Sequence, residues 1–236
     1  MKTTAIYFAI AMSLLLIDCN KDEPLYDTEA TVMVDDTDPL PVYPTAKAIL
    51  TSFKLKENPW QGIEIKLVAI TSNDINDTKY ISLEKESKLT GNNIVRRAKV
   101  QRFTEQLQSY LTSLDSVRHL PHSIIYRSIA KEAVLLTRSK IKTKLLIVYS
   151  DLLENSEISF YNPQTFGLLQ KDPALVEKQL EAYQPLPSLD GVQVWFLYAP
   201  NSYHQNNVFM PIARFYESVY IAHHATVHIA NQFSPQ

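Results

Sequence analysis

The chain has 236 residues, 45% of them hydrophobic and 20% charged, which suits one globular domain of roughly 200 residues with a sizeable core. Its formal net charge is −2 and its pI about 6.3, so no global field draws in nucleic acid or anionic lipid. Only four glycines occur, Gly62, Gly91, Gly167 and Gly191, and they build neither a dinucleotide fingerprint nor a P-loop.

The first eighteen residues stand apart. Lys2 gives a positive start, and Ala5 to Ile17 (AIYFAIAMSLLLI) is a thirteen-residue apolar stretch. That is short for a bilayer span and suits the apolar region of a secretory signal. It ends at Cys19, the sole cysteine, so an internal disulfide is excluded. The stretch LLIDCN resembles the lipobox of bacterial lipoproteins, with Asp18 where that family has a small residue. The following NKDEP resembles the acidic tether of lipoproteins from Bacteroides-type bacteria. The resemblance implies a signal peptide over 1–18, a tether over 19–29 and a domain over 30–236. It also implies an outer-membrane anchor through lipid on Cys19, with the membrane face left open.

From Ala30 onward, strand-length apolar runs alternate with longer helical patterns. Thr31 to Val34 (TVMV) is β-branched and almost continuous, as in a strand buried on both faces. YPTAKAILTSFKLK reads as a helix capped by Thr45, with Ala48, Ile49 and Phe53 along one side. Gly62–Ile70 and Lys79–Glu84 are two strands whose short polar linker predicts a hairpin. A long helix follows from Asn93 to Val117, striped by Val95, Phe103, Leu107, Tyr110, Leu111 and Leu114. Its RRAKVQR segment reads as a solvated basic face.

Pro121 interrupts the chain, and a further helix opens at Ser123. Lys144–Asp151 (KLLIVYSD) is a second central strand, and Gly191–Pro200 a third. Between them DPALVEKQLEAY is a helix, with Asp172 as cap and Pro173 at its first position. A final helix, NNVFMPIARFYESVYIAHH, is expected to bend or restart at Pro211 before the last short strand TVHIA. The order β-α-β-β-α-α-β-α-β-α-β predicts a three-layer α/β/α, Rossmann-like, doubly wound and mostly parallel sheet with one antiparallel edge strand.

Ligands of such sheets sit beyond the strand carboxyl ends, where the strand order reverses. The first strand ends in Asp35, Asp36, Thr37 and Asp38, and the fourth in Ser150 and Asp151. Adjacent central strands bring Asp35 and Asp151 to one edge. Two carboxylates and a hydroxyl make an oxygen-only site suited to magnesium, manganese or calcium. Asp and Ser are equally ordinary at strand-to-helix turns, where they cap backbone N–H groups.

The order of elements, the edge hairpin, the aspartate loop and LIVYSDLLENS together resemble the von Willebrand factor A (vWA) domain, over about residues 28 to 233. The resemblance implies a metal-ion-dependent adhesion site (MIDAS) of the form D-x-S/T-x-S/T, completed by a later threonine and an aspartate after strand four. The resemblance further implies that a protein partner's carboxylate takes the open position of the metal. Asp35 matches the first aspartate, Thr37 the first hydroxyl and Asp151 the strand-four aspartate. Ser123 stands in the region of the later threonine and also reads as a helix N-cap. Pro39 replaces the second hydroxyl, and Leu152 stands where the family places glycine.

The expected function is therefore binding to a protein partner, not catalysis. The alternatives are a metal-free scaffold of an envelope assembly, or a haloacid dehalogenase-type phosphatase. In that enzyme reading Asp36 is the nucleophile, Asp38 the acid/base and Ser150 the phosphate-binding hydroxyl. It lacks an acidic pair after a later strand, since Tyr198, Ala199 and Pro200 end the third buried strand. His223 and His224, being adjacent, lack the i, i+4 spacing of a metal pair and read as helix-end residues. His119 and His122 bracket Pro121 in a loop that could flank the rim, and read as structural or solvated. Trp60, Trp195, Phe196 and Tyr198, at strand positions, read as core.

Overall fold

A computed structural model of the chain describes residues 24–37, 39–72, 78–114 and 122–234. The signal and lipidation readings at 1–18 and Cys19 lie outside these residues, as do Asp38, His119 and Pro121. The described residues form six strands and six helices in an α/β, Rossmann-like arrangement. In chain order these are β1 (Thr28–Asp35), α1 (Ala46–Ser52), β2 (Ile63–Ile70), β3 (Thr78–Leu83), α2 (Asn93–Leu114) and α3 (Ile125–Thr137). Then come β4 (Thr143–Tyr149), α4 (Pro163–Lys171), α5 (Pro173–Glu181), β5 (Val192–Leu197), α6 (Tyr203–Ala222) and β6 (Thr226–Ala230).

The strand order is β3-β2-β1-β4-β5-β6. All neighbours pair parallel except β2 with β3, the antiparallel edge hairpin. The chain moves outward from β1 to β2 and β3, then returns to β4 and continues the other way. The switch therefore falls between β1 and β4, two largely buried central strands. Alternate side chains face opposite layers, as the two-residue strand period requires. Phe196 of β5 meets Tyr216 and Tyr220 of α6, and Tyr216 meets Tyr126 of α3. Its neighbour Trp195 meets Phe233, which also touches Phe53 beyond α1. Helical and C-terminal segments thus cover both faces.

Several local expectations meet the structure directly. Thr45 caps α1 by accepting from Ala48 N, and Asp172 caps α5 by accepting from Leu175 N. Others shift. β1 begins at Thr28, inside the segment read as tether, because Asp27 and Gly62 exchange hydrogen bonds and Leu25 O accepts from Lys85 N. A Cβ at Gly62 would collide with Leu25 O, so the close strand approach there needs glycine. α4 is a helix the pattern did not show. α6 runs unbroken through Pro211, with Phe209, Ile212, Phe215 and Tyr216 buried along it. That burial outweighs the cost of one interior proline, about 3 kcal/mol. Trp60 lies half-buried in the turn before β2, not on a strand, with Gly91 pressed against its ring.

The basic segment on α2 is not uniformly solvated. Arg96 is 1% exposed, while Arg97, Lys99 and Arg102 face solvent. Val95 is exposed too, so the buried stripe of α2 consists of Phe103, Leu107 and Leu111 with Arg96 at its head.

Candidate functional site

At the switch point the register decides which side chains meet. Val34 of β1 pairs with Tyr149 of β4, so the next step sets Asp35 beside Ser150. Ser150 Oγ donates to Asp35 Oδ2 at 2.7 Å. Asp35 Oδ1 accepts from Thr37 Oγ1 at 2.6 Å and from Thr37 N at 3.1 Å, a tight turn made by the aspartate itself. Thr37 Oγ1 also lies 3.0 Å from Ser123 Oγ, across 86 positions of sequence. Asp35, Thr37 and Ser123 thus converge, and Ser150 joins them.

Ser123 does not cap α3. It is held at the rim by paired backbone bonds with Asn155, Ser123 N to Asn155 O at 3.1 Å and the reverse at 2.9 Å. The open N–H groups of Ile125 and Tyr126 donate instead to Glu154 Oε2, at 3.0 and 2.6 Å. A carboxylate from the β4 loop therefore caps a helix that begins about thirty residues earlier in the chain. Glu154 is 1% exposed, and burial pushes its pKa up to about 7 against the pull of the Ser156 hydrogen bond and the two amides.

Asp151 was expected to face Asp35. It is half-buried, and its Oδ1 accepts from Leu153 N at 2.9 Å, which forms the turn leaving β4. The direct neighbour of Asp35 on that strand is Ser150. Leu152 takes φ 62° while wholly buried, in the left-handed region that glycine occupies freely. Holding leucine there costs roughly 1–2 kcal/mol, offset by its burial in the core.

The donor set can be compared with a hard cation. Two cis ligands of an octahedral magnesium site at about 2.1 Å lie about 3.0 Å apart, the separation of the Thr37 and Ser123 hydroxyls. One carboxylate and two or three hydroxyls at one buried rim are hard oxygen donors. Pro39 supplies no ligand through its side chain. The residues thus fit part of a divalent site. The same contacts also form a closed polar knot, with Asp35 1%, Thr37 2% and Ser123 5% exposed.

His122 is exposed and has no part in this network of hydrogen bonds. Trp195, Phe196 and Tyr198 are core residues as expected. A cleft of about 980 Å³ lies elsewhere, between α1 and α2, with Leu50, Leu55 and Val100 among its lining residues.

What the sequence missed is on the helical flank. Glu177 and Glu181, one turn apart on α5, meet His223 at the end of α6, with ligand atoms all within 4.8 Å of one another. The Glu-x-x-x-Glu spacing was the available signal. The histidine lies 42 positions beyond Glu181 and only the fold brings it there.

No family model matches the chain, and a search of curated proteins gave no match. Among solved structures, the chain is similar to a D319A mutant of the PilB minor pilin from Streptococcus sanguinis, at 8% identity and TM-score 0.49, with 89% of this chain and 58% of that one covered. It is also similar to the human COPII-coat protein Sec24c, at 12% identity and TM-score 0.34, with 92% and 31% covered. The chain thus spans under two thirds of either protein, and likenesses this distant carry no functional argument. Among the described residues no helix is long and apolar enough to cross a membrane.

Proposed function

We propose that the domain is a vWA-like binding module of a cell-envelope lipoprotein, anchored to the outer membrane through Cys19, that docks a protein partner at the strand carboxyl rim. The supporting observation is the meeting of Thr37 and Ser123 hydroxyls 3.0 Å apart beside Asp35, at the β1/β4 switch point. In this reading Asp35, Thr37 and Ser123 hold magnesium or manganese (or calcium), with Asp151 at the outer side of the rim. The cation supplies a Lewis-acidic position for a partner's carboxylate. Asp35 orients the hydroxyls, and Ser150 fixes the carboxylate's second oxygen.

A metal-free scaffold is the second reading, favoured by the burial of Asp35 and by the hydroxyl and amide donors that already occupy both of its oxygens. The phosphatase reading fares worse, since Asp36 is 2% exposed and poorly placed to attack a substrate. Thermal melts of the protein with and without magnesium or manganese separate the first two. The binding-module reading expects the cation to raise Tm by several degrees, Asp35→Ala to abolish the rise, and chelator to release a partner captured from native envelope. A melt indifferent to cation selects the scaffold.

A further inference from the structure

The flank of the domain carries a second constellation, unrelated to the rim. α5 presents Glu177 and Glu181 on one face, because residues four apart on a helix stack one turn above the other. Opposite them His223 closes α6. Its backbone is pinned on both sides, with His223 N donating to Val219 O at 3.3 Å and Leu189 N donating to His223 O at 2.7 Å. His223 Nε2 lies 2.9 Å from Glu181 Oε1, and one ligand atom from each of the three residues falls within 4.8 Å of the other two. All three are half-buried, so the group is reachable from solvent yet partly screened from it.

A second observation lies within electrostatic reach of the same two glutamates. Tyr126, at the start of α3, is 1% exposed, and its hydroxyl has no hydrogen-bond partner among the described residues. Buried hydroxyls of this kind ordinarily find a partner in protein, water or ion. Burial, and then the charges of Glu181 and Glu177, raise the phenol's pKa, so the hydroxyl stays protonated and lies in the field of those carboxylates.

We propose that Glu177, Glu181 and His223 form a site for a borderline divalent cation, zinc by preference, that staples α5 to the C-terminal end of α6. The ligand chemistry selects the ion. An imidazole with two carboxylates suits zinc better than magnesium or calcium, which favour oxygen alone. Tetrahedral zinc with ligands at about 2.0–2.1 Å needs donor atoms about 3.3 Å apart. Half-exposed glutamate side chains reach that spacing from 4.8 Å by rotamer adjustment, while the histidine backbone stays fixed. Three protein ligands leave the fourth position to water. The metal would tie the two helices where their own packing is slight, since α5 packs mainly on α4, and α4 in turn on α6.

The test uses the full-length chain, stripped with EDTA and dialysed. Zinc chloride titrated calorimetrically should bind at one equivalent per chain, and cobalt(II) should give the visible absorption of a tetrahedral site. Glu181→Gln and His223→Gln, isosteric or nearly so at half-exposed positions, should each weaken zinc binding roughly tenfold or more, at least the loss typical of disturbed metal sites. Glu177→Gln serves as a third variant, and circular dichroism establishes that each is folded. Asp35→Ala should bind zinc as the wild type does, which separates this site from the rim. The proposal is overturned if the wild type takes up no zinc, if magnesium competes equally, if the folded variants bind unchanged, or if Asp35→Ala abolishes the binding.

Discussion

Two buried polar clusters sit at opposite ends of the sheet and solve the same problem differently. At the amino-terminal end of β2, Arg96 reaches in from α2 and spends its guanidinium on backbone. Nε donates to Pro59 O at 2.5 Å, Nη1 to Glu84 O at 2.8 Å and Nη2 to Gln61 O at 2.7 Å, while Nη1 also meets Glu86 Oε1 at 3.2 Å. One cation there closes the ends of β2 and β3 and the turn before them. At the carboxyl-terminal rim the buried titratable side chains among the described residues are all acids: Asp35, Asp36 and Glu154. Asp35 is held by hydroxyls and an amide. A cluster whose charge is met by dipoles and a counter-ion is a fastener. One that gathers like charge under hydroxyls is costly to keep unless it does something.

The largest expected effect tests the fastener. Arg96→Met keeps the stem and deletes the charge, leaving three carbonyls without their guanidinium donor and Glu86 with Lys99 alone. Stability should fall by about 3–5 kcal/mol, the range for breaking a buried ionic network, read as a lower urea midpoint with unchanged slope. Asp35→Asn at the rim is the matched control. It removes charge from an acidic cluster and keeps the side chain's shape, with one acceptor oxygen turned into a donor that the Ser150 hydroxyl can rotate to accept, so it should cost less than about 1.5 kcal/mol. Equal losses at the two ends would break the comparison.

The next effect is a pH dependence at the rim. Folding lifts Glu154 from the ordinary value of 4.5 to about 7, so the folded chain keeps a proton that the unfolded chain releases between those values. The stabilisation is fully present below about 4.5 and is lost as pH rises through about 7. Over that window it amounts to roughly 3 kcal/mol. Glu154→Gln retains an oxygen for the Ile125 and Tyr126 amides but cannot ionise. It should flatten this part of the stability curve and leave the variant the more stable protein at pH 7.5. Denaturant titrations at pH 5 and 7.5 check both statements.

The difference between the two ends also explains what was legible in the sequence. β1, β4 and β5 announced themselves as β-branched apolar runs, and Thr45 and Asp172 as caps, because those signals are local. Asp35 and Thr37 could be placed at the rim from the end of β1 alone. That Ser150 hydrogen-bonds Asp35 depends on a one-residue step in register, which a single strand does not encode. The glutamate cap on α3 and the approach of His223 to its two glutamates are contacts across many positions, and only the Glu177/Glu181 spacing is local. Arg96 misled for a related reason: within RRAKVQR all four basic residues look solvent-bound, and only the carbonyls of Pro59, Gln61 and Glu84 single one out. α4 stayed hidden because nine residues containing Pro163 and Gly167 are too few to establish a period.

The smallest effect sharpens the account of the fastener from within. Lys99 also contacts Glu86, at 2.8 Å, closer than Arg96 does, and its hydrogen bond is the first cause holding the Glu86 carboxyl below its ordinary pKa. By distance alone it would be the stronger partner. Its side chain is nevertheless 52% exposed, so water recovers most of what the pair provides, and ordering the long side chain offsets part of the rest. Lys99→Ala should therefore cost under about 1 kcal/mol, and that loss should shrink further in high salt. Arg96→Met should keep nearly all of its penalty at the same ionic strength, because carbonyl acceptors buried with the guanidinium are not screened. A salt-insensitive loss at Lys99, or a salt-erased one at Arg96, would reverse which cation fastens this end of the sheet.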